Sequence, residues 1–178
     1  MLTSLPATIA VCPLRRLDET IASTGARHVI SVVNSHLMPP TPHLIEPSHH
    51  LRLPISEART ERGIPNPMQP MIEDLIAFTR AWEREAPLLI HCFSGLNRSP
   101  AAAYIALAAL NPAAPETLLA HRLRAASEMA APNGTMVGVG DLVLGRGGKL
   151  ASAIDLIGPG VPAAECVPFS IVADFTEP

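Results

Sequence analysis

A chain of 178 residues with 48% hydrophobic composition has the length of one ordinary domain and enough apolar material to bury a core. A formal charge of −3, 3% aromatic residues and the absence of any lysine cluster argue against a nucleic-acid track, and no apolar run approaches the ~18–20 residues that a membrane crossing needs. Three cysteines cannot all pair, and the moderately apolar segment 1–14 lacks a basic lead and is followed by Arg15-Arg16, the reverse of a secretory signal, so a reducing, cytoplasmic setting is expected.

Nineteen prolines punctuate the chain. Segment 8–11 reads as a first strand, 14–24 as a helix, and 27–33, rich in β-branched residues, as a second strand. Four prolines make 38–48 a surface loop; 51–55 is a third short strand and 56–67 another loop. Met68, Met71, Ile72, Leu75, Ile76, Thr79 and Trp82 then fall on one stripe at spacings of three and four, which predicts an amphipathic helix with a core-facing side. The run 88–91 predicts a strand at the centre of the sheet. Beyond residue 98 the periodicity is helical over 99–110, 115–127, 134–144 and 149–157, separated by Asn-Pro, Pro-Asn-Gly and glycine-rich breaks. Strand alternating with helix predicts an α/β fold: a central, mostly parallel sheet of four to five strands flanked by helices, with a helical C-terminal half. We read 1–178 as a single domain whose residues 158–178 form an extended, proline-rich tail.

The chemistry concentrates where the fourth strand ends. His91-Cys92-Phe93-Ser94-Gly95-Leu96-Asn97-Arg98-Ser99 places a cysteine and an arginine at the two ends of a seven-residue loop, between an apolar strand and an alanine-rich helix. Such a loop can wrap successive N–H groups around a tetrahedral oxyanion, with the helix dipole favouring negative charge at the same point. A cysteine attacks only as thiolate, and a helix N-terminus, converging N–H donors and a nearby guanidinium all favour that form. Arg98 presents a planar fork for two equatorial phosphoryl oxygens. Gly95 permits positive φ and close approach of backbone to anion, and Ser99 can hydrogen-bond a departing thiolate. His91 is expected to orient the loop through backbone hydrogen bonds rather than to act as a base.

These residues resemble the signature of the cysteine-dependent protein tyrosine phosphatases, most closely the small, atypical dual-specificity and bacterial types. The family's loop, His-Cys-x-x-Gly-x-x-Arg-Ser/Thr, is matched without gaps from His91 to Ser99. Segment 51–57 is similar to the family's strand and acid loop, and Pro132-Asn133 to its Pro-Asn pair, so the likeness spans roughly residues 8 to 145. The resemblance implies a phosphomonoester hydrolase needing no metal or other cofactor, in which Cys92 attacks phosphorus and Arg98 binds phosphate. Phe93, Ser94, Gly95, Leu96 and Asn97 would then line the phosphate loop, with Asn133 in support. The family's acid is usually an aspartate, whereas Glu57 stands at the matching position; a glutamate is competent but one methylene longer. Glu61 and Glu46 are the other candidates.

The expected substrate is a phosphorylated protein or a small phosphomonoester. Apart from Arg98 the loop carries no cation, which disfavours a multiply phosphorylated head group; Arg52, Arg59 and Arg62 could steer an anion to the mouth, but a solvated loop of mixed charge over 57–62 is the more ordinary reading. A non-catalytic or weakly catalytic phosphate-binding module of the same fold is the alternative, kept open by the Glu57 departure. Two other readings fit less well. Sulfur transfer of the rhodanese type usually has one residue fewer between its cysteine and arginine, and RNA triphosphatases of the superfamily hold a long polyanion. The low-molecular-weight tyrosine phosphatases are excluded because Cys12 is followed six positions later by Asp18. No metal site is expected from the seven histidines: His49 and His50 are adjacent, and neighbours in a strand face opposite ways.

Overall fold

The computed structural model describes residues 6–55 and 67–175. Five strands form one mixed sheet in the order β3-β2-β4-β1-β5, comprising β1 (Thr8–Pro13), β2 (His28–Val32), β3 (His50–Leu53), β4 (Leu88–Cys92) and β5 (Phe169–Val172). The first four are mutually parallel, and β4 lies between β1 and β2 as the sequence predicts. Every residue of β4 is buried, which suits a strand covered on both faces.

Alternation along the strands sorts side chains onto two layers. Ile9 and Val11 of β1, Ile30 and Val32 of β2, and Leu88, Ile90 and Cys92 of β4 join a large cluster with five helices: α2 (Gln69–Ala81), α3 (Arg98–Leu110), α4 (Glu116–Ala126), α5 (Gly134–Leu144) and α6 (Lys149–Ile157). Ala10, Cys12, Val29 and Leu89 face the other way, against a smaller layer built on Leu17 and Ile21 of α1 (Leu17–Thr24). The predicted stripe is the buried side of α2, where Ile72, Leu75 and Ile76 sit in the core at roughly 1.5–3 kcal/mol of burial each. Trp82 caps the end of α2, its indole N–H donating to Ala86 O at 2.9 Å.

Helix α3 runs through the middle of the large layer with Ser99 to Ala109 all buried. Its alanines let neighbours approach closely, and at Gly140 of α5 an added Cβ would stand 2.6 Å from Cγ1 of Ile105. Tyr104 bridges outward, its hydroxyl lying 3.2 Å from Glu116 O and 3.3 Å from Leu150 O. Asp141 accepts from the N–H groups of Gly148 and Leu150 at 2.5 and 2.6 Å, fixing the start of α6 to α5.

One detail differs from expectation: the stretch 14–24 is not one helix, because a 3-10 turn over Leu14–Arg16 precedes α1. The C-terminal half is helical through α6, and the tail beyond it returns as β5 and pairs antiparallel with β1, setting Ile9 opposite Ile171. Asn111 holds the return in place, donating to Ala173 O at 2.8 Å and accepting from the N–H of Phe175 at 3.1 Å. The added strand covers the hydrogen-bonding edge of β1. Among the described residues no helix is long and apolar enough to cross a membrane.

Candidate active site

Because β4 is central and both its neighbours run parallel to it, the segments leaving β1, β2 and β4 emerge at the same edge of the sheet. Open α/β sheets gather their ligands there. The loop from Cys92 to Arg98 is accordingly walled by Leu14 after β1 and Asn34 after β2, and backed by the segments that lead into α5 and β5.

Four of the loop's carbonyls are turned outward by this surround. Phe93 O accepts from Leu14 N at 3.1 Å, Ser94 O from Cys166 N at 2.9 Å, Leu96 O from Ala131 N at 2.8 Å and Asn97 O from Asn133 N at 3.1 Å. In a trans peptide the C=O of one residue and the N–H of the next point in opposite directions. Anchoring those carbonyls outside therefore aims the N–H groups of Ser94, Gly95, Asn97 and Arg98 into the loop. Gly95 bears this out, since its N–H donates to Cys92 Sγ at 3.2 Å. Ser99 in the first turn of α3 donates its hydroxyl to the same sulfur at 3.1 Å. The sulfur thus sits at the floor of a bowl of donors, on a residue only 2% exposed.

Gly95 has no substitute in this geometry. Its φ is +74°, and an added Cβ would stand 2.2 Å from Cys166 Sγ and 3.0 Å from Pro13 N. Cys166 and Cys12 are buried packing thiols, pushed up by burial to about 11 and about 12 respectively, so both stay protonated near neutral pH.

Arg98 is the half-exposed far wall. One terminal nitrogen, Nη1, donates to Asn34 Oδ1 at 2.9 Å and to Ile55 O at 3.0 Å, which holds the guanidinium in a fixed plane. The Nε and Nη2 edge has no partner among the described residues, and its planar geometry could take two oxygens of an anion. Asn133 is placed as a support: it caps α5 by accepting from Met136 N at 2.9 Å, and its amide donates to Asn97 Oδ1 at 2.9 Å. Asn97 in turn donates to Ala131 O at 2.8 Å. Phe93 is exposed, and Ser94 Oγ lies 3.4 Å from Leu96 N.

The ring of His91 is fully buried on the α1 side of the sheet, where Nε2 pairs at 2.6 Å with the hydroxyl of Ser31 on the adjacent strand and the backbone of Cys92 favours the ring's protonated form. Burial pushes the imidazole down to about 4. Glu57 and Glu61, with Arg59 and Arg62, lie outside the described residues. Glu46 is exposed at the start of the 3-10 turn Pro47–His49. His49 stacks on His28 at 4.0 Å while His50 turns inward to Ser31, and among the described residues no group of three potential ligands is arranged to hold a metal. Asn34, Ser31 and Cys166 are the residues around the loop that motif reading misses; a polar residue two positions after the end of β2, beside the loop-bearing strand, is the signal that points to Asn34.

No protein-family model and no curated protein sequence matches the chain. Among solved structures, DUSP15 matches with a TM-score of 0.58 and 18% identity, over 88% of this chain and 95% of that one. Tk-PTP in its active form matches with a TM-score of 0.51 and 19% identity, over 75% and 88% of the two chains. Both neighbours are tyrosine or dual-specificity phosphatases, and at this level of identity the likeness is one of architecture. The chain therefore has a protein tyrosine phosphatase and dual-specificity phosphatase-like fold.

Proposed function

We propose that the protein is a metal-independent phosphomonoester hydrolase that works through a phosphocysteine intermediate, acting on phosphotyrosyl or dual-specificity protein substrates. The observation that carries this reading is the sulfur of Cys92 held under the N–H of Gly95 and the O–H of Ser99, at the base of a loop whose carbonyls are bonded outward. Donors aimed at one point stabilise an anionic sulfur before reaction and phosphoryl oxygens during it.

In the first step the thiolate of Cys92 attacks phosphorus as the P–O bond to the leaving group breaks. Inward N–H groups and the open fork of Arg98 take up the charge on the equatorial oxygens. The departing oxygen needs a proton, which we assign to the carboxylic acid of Glu57 on the sequence resemblance. In the second step water attacks the phosphocysteine and gives a proton back to that carboxylate. The S–P bond breaks, inorganic phosphate forms, and the hydroxyl of Ser99 stabilises the thiolate that leaves. Asn34 holds Arg98 ready, and Asn133 holds the loop through Asn97.

Turnover of an aryl phosphate in the presence of a chelator tests the proposal, with Cys92→Ser as the partner variant. The wild type should turn over, and the variant should lose at least ~10⁴-fold in rate while still binding an oxyanion such as vanadate. Equal turnover by the two proteins contradicts the nucleophile assignment. A wild type that binds vanadate yet hydrolyses no phosphotyrosyl, phosphoseryl or small phosphomonoester substrate establishes the phosphate-binding module instead.

A further inference from the structure

The α1 side of the sheet carries a line of polar groups, running from the surface to the buried Ser31, His50 and His91, that the two-step chemistry does not use. Starting outside, Arg52 Nη2 lies 3.2 Å from Thr41 Oγ1, and Thr41 Oγ1 lies 3.0 Å from His50 Nδ1. His50 Nε2 lies 2.8 Å from Ser31 Oγ, which lies 2.6 Å from His91 Nε2. His91 is the residue before the nucleophile. Ser31 and His91 are register partners on neighbouring strands, so the sheet itself holds that pair together.

Hydrogen-bond chemistry allows the line one consistent direction, from Arg52 inward. A guanidinium only donates, so Thr41 Oγ1 accepts from Arg52 and can turn its own hydroxyl proton to His50 Nδ1. Burial holds His50 and His91 down to about 4, so both rings are neutral near pH 7 and each carries one hydrogen. With Nδ1 accepting, His50 carries its hydrogen on Nε2 and donates to Ser31. Ser31 passes its own proton to His91 Nε2, which leaves the hydrogen of His91 on Nδ1. At the far end Nδ1 of His91 has no partner of ordinary hydrogen-bond geometry among the described residues, and the backbone of Cys92 beside it favours a proton on that ring.

We propose that Ser31 and His50 are positioning residues for the nucleophile: with Thr41 and Arg52 they form a one-way chain of donors that holds His91 with its hydrogen on Nδ1, against the backbone of Cys92. The proposal rests on the phosphatase reading and deepens it, because it adds a support for the loop that reaches the reacting sulfur only through His91. Ser31 and His50 touch neither substrate nor sulfur. Their effect should fall on kcat, since the orientation of Cys92 matters to attack more than to anion binding.

The test joins a spectroscopic readout to a kinetic one. Nitrogen-15 histidine NMR of the wild-type chain should show His50 protonated on Nε2 and His91 on Nδ1, and Ser31→Ala should remove the fixed tautomer of His91. With an aryl phosphate, Ser31→Ala should lower kcat by ~10-fold with KM within about twofold, and Ser31→Thr, which keeps the hydroxyl, should restore most of it. His91 protonated on Nε2 in the folded wild type overturns the proposal, a result that needs no variant to fold. So does a Ser31→Ala variant with wild-type kcat, and in that case wild-type turnover leaves the phosphatase reading standing. A wild type without turnover on any phosphomonoester removes the phosphatase reading and the positioning role together, even where the tautomers are as assigned.

Discussion

The two faces of the sheet do different work for the same loop. On one side, five helices pack an almost wholly apolar layer against Leu88, Ile90 and Cys92, and α3 delivers Ser99 to the sulfur from within that layer. On the other, a thin layer under α1 hosts Ser31, His50 and His91, buried polar side chains joined through the hydroxyl of Ser31. Strand alternation makes this division unavoidable, because adjacent residues of β4 point to opposite faces, so Cys92 enters the first layer and His91 the second. The helical face packs through apolar contact, and the thin face is tied together by hydrogen bonds through Ser31.

The contrast breaks most sharply at Arg98. Arg98→Lys keeps the charge but loses both the bonds to Asn34 and Ile55 and the fork, so kcat/KM for an aryl phosphate should fall by ~10²–10³-fold. A loss under about threefold means that charge alone suffices.

A pH series sharpens the polar side. His50 and His91 are held at about 4 by burial, below the ordinary 6.5, so the unfolded chain takes up protons between those values that the native chain refuses. Stability from this pair is complete above about pH 6.5 and drains away as pH falls toward 4, by something on the order of 3 kcal/mol. Urea unfolding midpoints from about pH 7.5 to about pH 4.5 measure it, and His50→Gln should flatten part of the slope; identical slopes in the two proteins refute the assignment.

The helical face answers to packing instead. Gly140→Ala drives a methyl group toward Ile105 and should cost about 1–3 kcal/mol in denaturant unfolding, with turnover per folded molecule unchanged. Unaltered stability would show that α3 and α5 have slack at that contact. The smallest effect expected is at Ser99. Ser99→Ala removes the donor to the leaving thiolate, so the second step should slow by ~10-fold and a pre-steady-state burst of leaving group should appear or grow. Slowing without any change in burst would place Ser99 in the first step.

How much of this is legible in the chain follows from what each element asks of its sequence. The helices carry their own periodicity and breaks, and α5 and α6 fall where the pattern places them. The bowl is legible because its identity requirements are local: Gly95 for a positive φ, Ser99 and Arg98 at fixed spacing from Cys92. Strand β5 is not, since only Ile171 of its four residues is fully buried and its pairing with β1 is a contact across most of the chain. Nor are Ser31, His50 and Asn34 as supports, because nothing local marks a serine in a strand as the partner of a histidine 60 positions away. His91 shows the same limit: its place in the motif is legible, but nothing local says that its side chain meets Ser31 on the neighbouring strand. Glu57 stands on resemblance, outside the described residues.

The phosphocysteine itself is the most direct test of the account. Wild-type protein mixed with an aryl phosphate, quenched within the first turnover and digested for mass spectrometry should yield the peptide containing Cys92 with phosphate on sulfur, more abundantly in Ser99→Ala and never in Cys92→Ser. Turnover that proceeds with no phosphate on Cys92, or with phosphate on another residue, contradicts it.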